Sequence, residues 1–280
     1  MWILFIIIHV FALSASQIAI RHSATDLKVD SLVMSVIIST ATAVPAFVGI
    51  LICGVDFTRY DTFTIWGLIG DITLGVLFCF TNAKALELME AGTYTFLYNL
   101  RIGFVSALGI IFLGEDASLL RLIGGGLVFI AGFIIIRKIH SRKLGVLLGI
   151  TNGISIACIT MFEKWLIPTV GYTNIIFPAC VIVAVILWII LLISKITFDW
   201  KLMKSPVLIT LLPLRCVAMY SFTLSMALGG LLSVCTYFSS LSFITTSVAG
   251  IIFLKERDMM LSKMLAAIVA IVGVTLVFLQ

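Results

Sequence analysis

Charge is scarce in this sequence. Asp, Glu, Lys and Arg together make up 11% of its 280 residues, against roughly a quarter in an ordinary soluble domain. Histidine is scarcer still, with only His9, His22 and His140. The six cysteines (Cys53, Cys79, Cys158, Cys180, Cys216 and Cys235) are scattered over apolar segments without a C-x-x-C pair. Neither a disulfide framework nor a metal site is expected, and no cofactor. There is no H-E-x-x-H, G-x-S-x-G or G-x-x-x-x-G-K-[ST] run, so zinc hydrolysis, a serine nucleophile and direct ATP drive all lack their parts. Asp61 and Asp71 do not form an aspartyl-protease pair: ten residues of one helix separate them by ~15 Å, whereas carboxylates sharing a proton nearly touch. An enzyme is therefore not expected.

What remains is apolar. The chain is 62% hydrophobic with a mean hydropathy of +1.26. Runs such as 1–20, 31–52 and 175–194 approach the ~20 residues a helix needs to cross a ~30 Å hydrocarbon core. The first run has no basic leader and no small-residue cleavage site before Arg21, so it reads as a helix of the mature chain. Cutting at polar breaks predicts ten spans, near residues 2–20, 31–52, 62–87, 91–113, 117–138, 144–166, 173–194, 206–228, 230–254 and 259–279. The breaks are short ("GVDFTRYD", "HSRK", "LKERD") and leave no room for a soluble domain. The expected fold class is an all-α polytopic membrane protein. The net charge of +5 sits in these loops, which points to membrane topology rather than to nucleic acid.

One phrase is written twice. "GIIFLGE" ends at Glu115 and "GIIFLKE" at Glu256, with six of seven residues shared at a separation of 141. The register continues, because Gly132 matches Gly273. The chain thus reads as two five-helix units, 1–140 and 141–280. Since five is odd, the second unit enters the membrane upside down, and such inverted repeats mark secondary transporters. The stretches "LYNLRIGFVSALGIIFLGEDASLLRLIGGGLVFIAGFIII" and "FSSLSFITTSVAGIIFLKERDMMLSKMLAAIVAIVGVTLV" resemble the end of the EamA-type repeat of the drug/metabolite transporter superfamily. The resemblance implies ten transmembrane helices in two inverted repeats, a central cavity and alternating access. In one respect the sequence departs from that family: the proline often found about fourteen residues before the glutamate is replaced by Arg101 and Ser242.

The strongest local signal is charge inside spans. Asp71, Arg101 and Arg215 lie in "GLIGDITLG", "LYNLRIGFV" and "LLPLRCVAM". At ~2.5–3.5 kcal/mol each near a helix centre, such residues face a bundle interior or a watery cavity. Asp71 and Arg101 are expected to meet in mid-membrane, Asp71 either holding Arg101 or carrying a coupling proton. Arg215 with Arg101 is expected to receive a carboxylate or phosphate, against the plainer reading of a structural Asp71–Arg101 pair. Asn152, Gln17, Ser14, Tyr94, Tyr98 and Asn99 are polar candidates for cavity lining. Lys84, Glu87, Glu90, Glu163 and Lys164, nearer span ends, are expected only to reach the interface. Gly145, Gly149 and Gly153 form a small-residue stripe suited to close helix packing.

These readings converge on a secondary carrier of a small metabolite in the plasma (cell inner) membrane. Its partners are a small-molecule substrate, the lipid bilayer and, as an assembly left open, a second copy in a homodimer; nucleic acid is not among them. A flippase for a lipid-linked substrate, or a non-transporting membrane scaffold, is the alternative. Loops after odd-numbered spans hold most of the lysines and arginines, which places them in the cytoplasm and both termini outside. The family resemblance implies both termini inside. On the charge rule, a reporter that is active only in the cytoplasm stays silent when fused after Gln280; activity there supports the opposite orientation.

Overall fold

The computed structural model describes residues 2–113, 119–136, 143–228, 232–255 and 260–278, and every regular element in them is helical. In chain order the α-helices are α1 (Trp2–Thr25), α2 (Ser31–Cys53), α3 (Thr62–Leu88), α4 (Ala91–Tyr98), α5 (Arg101–Leu113), α6 (Leu119–Ile136), α7 (Lys143–Val170), α8 (Tyr172–Ile193), α9 (Pro206–Ala227), α10 (Leu232–Ser240), α11 (Ser242–Phe253) and α12 (Met260–Phe278). Among the described residues, six stretches are long and apolar enough to cross a membrane: α1, α2, α3, α7, α8 and the segment Cys235–Phe253. The repeated glutamates Glu115 and Glu256, with the neighbouring Asp116 and Asp258, lie outside the described residues.

Local chemistry sets the helix ends. Asp30 accepts the Leu32 N–H at 2.7 Å and Asp61 accepts the Thr64 N–H at 2.8 Å, each satisfying a donor that the first turn leaves free. The Thr64 bonds also hold the exposed Asp61 carboxyl below its ordinary range. A single residue, Gly171, joins α7 to α8 at φ 93°, a left-handed backbone that favours glycine.

The surface is inverted relative to that of a soluble protein. Leu51, Ile52, Trp66, Phe112, Leu192 and Ile193 are among the most exposed side chains, while His9, Gln17, Asp71, Arg101, Asn152 and Arg215 are buried. Lipid as the outer solvent accounts for both halves of that pattern.

Packing pairs the helices as α1 with α9, α3 with α7, α2 with α8, α6 with α12 and α4 with α11. Cross-contacts define two ends of the bundle. At one, Lys263 at the start of α12 is ion-paired with Glu90, the residue capping α4, and both are largely buried. The Arg21 Nη1 donates to the Leu86 and Glu87 carbonyls, at 2.7 and 2.9 Å, near the end of α3. This end also carries Lys28, Lys195, Lys201 and Lys204, and it is called the basic face below. At the opposite face the 54–61 segment folds over the start of α8: the Asp56 N–H donates to Asn174 Oδ1 at 3.1 Å and the Tyr60 hydroxyl donates to the Asn174 carbonyl.

The largest apolar core belongs to the basic half. It gathers Ile20 of α1, Leu32–Ile38 of α2, Leu86 of α3, Tyr94 and Leu97 of α4, Leu187 and Leu191 of α8, and Leu208 and Leu211 of α9.

Two helices are broken in mid-course. α4 gives way to α5 across Asn99 and Leu100, and α10 to α11 at Leu241. Leu100 N–H donates to the Leu97 carbonyl at 3.1 Å and Leu241 N–H to the Phe238 carbonyl at 3.0 Å, a tight three-residue closure in each. Both members of this pair are offset by 141, the separation of the repeated phrase. The breaks lie just before Arg101 and Ser242, and neither contains a proline. The Asn99 side-chain amide donates to the Ser240 carbonyl at 2.9 Å, so one break is pinned directly to the other.

The glycine stripe of α7 is a packing surface. A Cβ on Gly145 would meet Met89 Cε at 2.8 Å, on Gly149 Leu97 Cδ1 at 3.0 Å, and on Gly153 the Leu97 carbonyl oxygen at 3.3 Å. Backbone cannot move aside as a side chain can. Gly153→Leu is accordingly expected to abolish folded yield in detergent. Gly153→Ala is expected to cost about 1–3 kcal/mol, read as a lowered melting temperature.

Candidate functional site

Helical register brings the charged residues to one space. On α3, Asp71, Gly75, Phe78 and Cys79 share a face; on α9, Arg215, Ala218, Met219 and Phe222 do so; on α7, Ile156, Ile159, Thr160 and Glu163 do so. With His9 and Leu13 of α1, Tyr98 of α4 and Arg101 of α5, these faces enclose a cavity of about 230 Å³. It reaches from the helix breaks, at the level of Arg101, to Tyr172 at the start of α8. Its inner end adjoins the apolar core, with which it shares Ile38, Cys79, Tyr98, Ala179 and Val183.

Arg101 is held firmly. Its Nη1 donates to the Tyr98 hydroxyl and its Nη2 to Ser239 Oγ, both at 2.6 Å, and the guanidinium lies 4.4 Å from the Tyr98 ring centroid. Ser239 Oγ is also 2.7 Å from His9 Nε2, while His9 Nδ1 is 2.6 Å from the Ala218 carbonyl oxygen. A carbonyl only accepts, so Nδ1 carries the proton. The chain is then satisfied throughout by a neutral imidazole: Arg101 donates to Ser239, Ser239 to His9 Nε2, and His9 to Ala218. It ties α5, α10, α1 and α9 together at the cavity's deep end.

The expected Asp71–Arg101 pair is not formed. The polar partners of the Arg101 guanidinium are Tyr98 and Ser239, and Asp71 shares its part of the wall with Glu163 of the adjoining helix, within electrostatic range. Two strong hydrogen bonds and a ring face leave Arg101 with less to gain from reaching across the cavity. Arg215, 8% exposed, has no hydrogen bond or ion pair among the described residues, and its guanidinium borders the cavity.

Among the other candidates, Tyr98 lines the cavity as expected and Asn152 does not. Asn152 is fully buried, accepting from the Tyr94 hydroxyl at 2.7 Å and donating to the Phe78 carbonyl at 2.8 Å and Thr81 Oγ1 at 2.9 Å. It knots α7 to α3 and α4 and has no donor left for a ligand. Asn99 serves the break-to-break contact, and Gln17 lies buried below the cavity floor. Ser14 bonds α1 to α11 through the Ser242 carbonyl at 3.2 Å and the Thr245 hydroxyl.

Two wall residues were outside the expectation, Glu163 and His9. Its place near a predicted span end puts Glu163 at the interface in the sequence reading. α7 runs on to Val170, however, and Glu163 falls seven residues, ~10 Å, inside it. The spacing Asn152, Ile156, Ile159, Glu163 would have revealed its face.

No family model matches the chain, and no curated protein sequence does. A solved structure described only as the crystal structure of a protein superposes on 99% of this chain and 97% of its own, with a TM-score of 0.71 at 12% identity. At that identity the likeness concerns the fold alone.

Replacing Asn152 by Leu would strand the Tyr94 hydroxyl in the core. A loss of about 1–3 kcal/mol is expected, measured as a drop in the melting temperature of the purified protein.

Proposed function

We propose that this chain is a secondary carrier of the EamA-type drug/metabolite transporter kind, moving a small metabolite with an acidic group by alternating access around the cavity. In this reading α4 with α5, and α10 with α11, are single broken spans, which brings the number of transmembrane helices to ten. The units 1–140 and 141–280 are its inverted repeats. Two observations support the layout. The helix breaks are offset by 141. Exchanging equivalent spans also turns the α1–α9 pair into α7–α3 and leaves α2–α8 and α6–α12 as they are.

The observation that carries the substrate reading is Arg215, a buried cation on the cavity wall with no protein partner of its own among the described residues. Glu163 makes the wall formally neutral overall, two acids against two arginines. The case for an anion therefore rests on local charge: Arg215 and Arg101 are not paired with the acids, and a bound carboxylate or phosphate would answer Arg215 directly. Asp71, beside Glu163, is the place for a coupling proton. The proposed setting is the plasma membrane, with the basic face in the cytoplasm.

The second reading, a flippase for a lipid-linked substrate, is favoured by a lateral groove between α1, α9 and α11. It is lined by apolar residues such as Phe11, Ile18, Leu214, Ile244, Val248 and Ile252. A screen for thermal stabilisation by carboxylate and phosphate metabolites, followed by counterflow in proteoliposomes, separates the two: saturable counterflow supports the carrier, and lipid scrambling without it supports the flippase. In the carrier, Arg215→Gln is expected to raise the apparent KM for an anionic substrate about tenfold or more, the equivalent of ~1.4 kcal/mol of lost binding, with folded yield retained. Unchanged transport in both Arg215→Gln and Arg101→Gln would overturn the anion assignment.

A further inference from the structure

The cavity stops at the helix breaks, but the helix faces that line it do not. On α1 the face of His9 and Leu13 continues one turn on to Gln17. On α3 the face of Asp71, Gly75 and Cys79 continues to Asn82. Gln17 is 2% exposed and Asn82 fully buried, in helices that pack on each other, as α1 and α4 each pack on α11.

These polar side chains are unsatisfied. Among the described residues no hydrogen-bond partner reaches Gln17 Oε1, either amide atom of Asn82, Asn99 Oδ1, Ser242 Oγ, Thr246 Oγ1 or Ser247 Oγ. Buried side-chain amides and hydroxyls are nearly always bonded, so several orphans along adjoining helix faces need a reason. Packing supplies none, because the same half of the bundle has an apolar core of its own a few residues away, built from Val36, Leu86, Leu97 and Leu187. At the basic face the column ends near the Lys263–Glu90 ion pair and the Arg21 contacts to the end of α3.

We propose that Gln17, Asn82, Asn99, Ser242, Thr246 and Ser247 line the closed half of a water-filled path, continuous with the cavity, through which a polar solute reaches the basic face. The proposal rests on the carrier reading and extends it, since it assigns the route on the side where the structure has no cavity. The orphaned groups are those that water or solute hydrates when α4 and α11 part from α1 and α3. The ion pair at the rim joins α12 to α4 and must open with them.

Cysteine accessibility tests this without knowledge of the substrate. Ser242→Cys and Thr246→Cys are nearly isosteric, and Gln17→Cys is the third probe. Each is introduced singly into a cysteine-free full-length chain reconstituted in vesicles, and monodispersity checks the fold. An impermeant methanethiosulfonate reagent is added from one face at a time, with Thr197→Cys in the exposed 194–205 segment identifying the basic face. Val36→Cys, equally buried but within the apolar core, gives the background. Probe cysteines are expected to react from the basic face about tenfold faster than Val36→Cys, as a minor open state of ~0.1–10% would allow. Reaction no faster than the Val36 background overturns the path, and so does reaction solely from the opposite face. Neither result depends on Arg215: an unaltered KM in Arg215→Gln removes the anion assignment and leaves the path standing, whereas unreactive probes remove the path and leave that assignment.

Discussion

In hydrocarbon a guanidinium or a carboxylate meets neither water nor counter-ion, so Asp71, Glu163, Arg101 and Arg215 must turn toward the same enclosed space, and the helices must orient to let them. That requirement fixes the rotation of α3, α5, α7 and α9 about their own axes. It leaves Leu, Ile, Val and Phe for the outside, where the lipid asks only for apolar surface. The glycines of α7 follow from it as well: seating α7 close enough to α4 for Asn152 to reach the Tyr94 hydroxyl requires side chains of no size along that seam.

The bundle is built unevenly along its length. One half is plugged by tightly packed aliphatic side chains, and the other is hollow and lined with charge. At their junction lie the two helix breaks, with the Arg101–Ser239–His9–Ala218 chain crossing between them. A hydrogen-bonded relay across four helices is stiff where packed aliphatics are compliant, so this level is the natural fixed point about which the two halves differ.

The all-helical, membrane-spanning character was legible in the sequence, because hydropathy is carried by many residues at once. The predicted breaks fall within a few residues of the helix ends, and Asp71, Arg101, Arg215 and Tyr98 do share one cavity. What failed was the pairing of individual side chains. Asn152 looked available for a ligand because its three partners come from α3 and α4, far away in the chain. Glu163 looked peripheral because a span end was judged from hydropathy, which cannot see a helix continuing past the hydrocarbon. The helix breaks carry no proline; they rest on Asn99 and on closures of the backbone, which a residue-type pattern does not record.

The burial of the Lys263–Glu90 pair decides how the basic face responds to salt. The pair ties the start of α12 to the start of α4 and is largely out of water, whereas the Lys84–Glu87 pair near the end of α3 is more exposed. Salt screens a buried pair far less than an exposed one, so raising the ionic strength weakens Lys84–Glu87 before it loosens this seam. The seam between α4 and α12 is thus the salt-resistant part of the basic face, and it is made by two residues that stand outside the cavity wall.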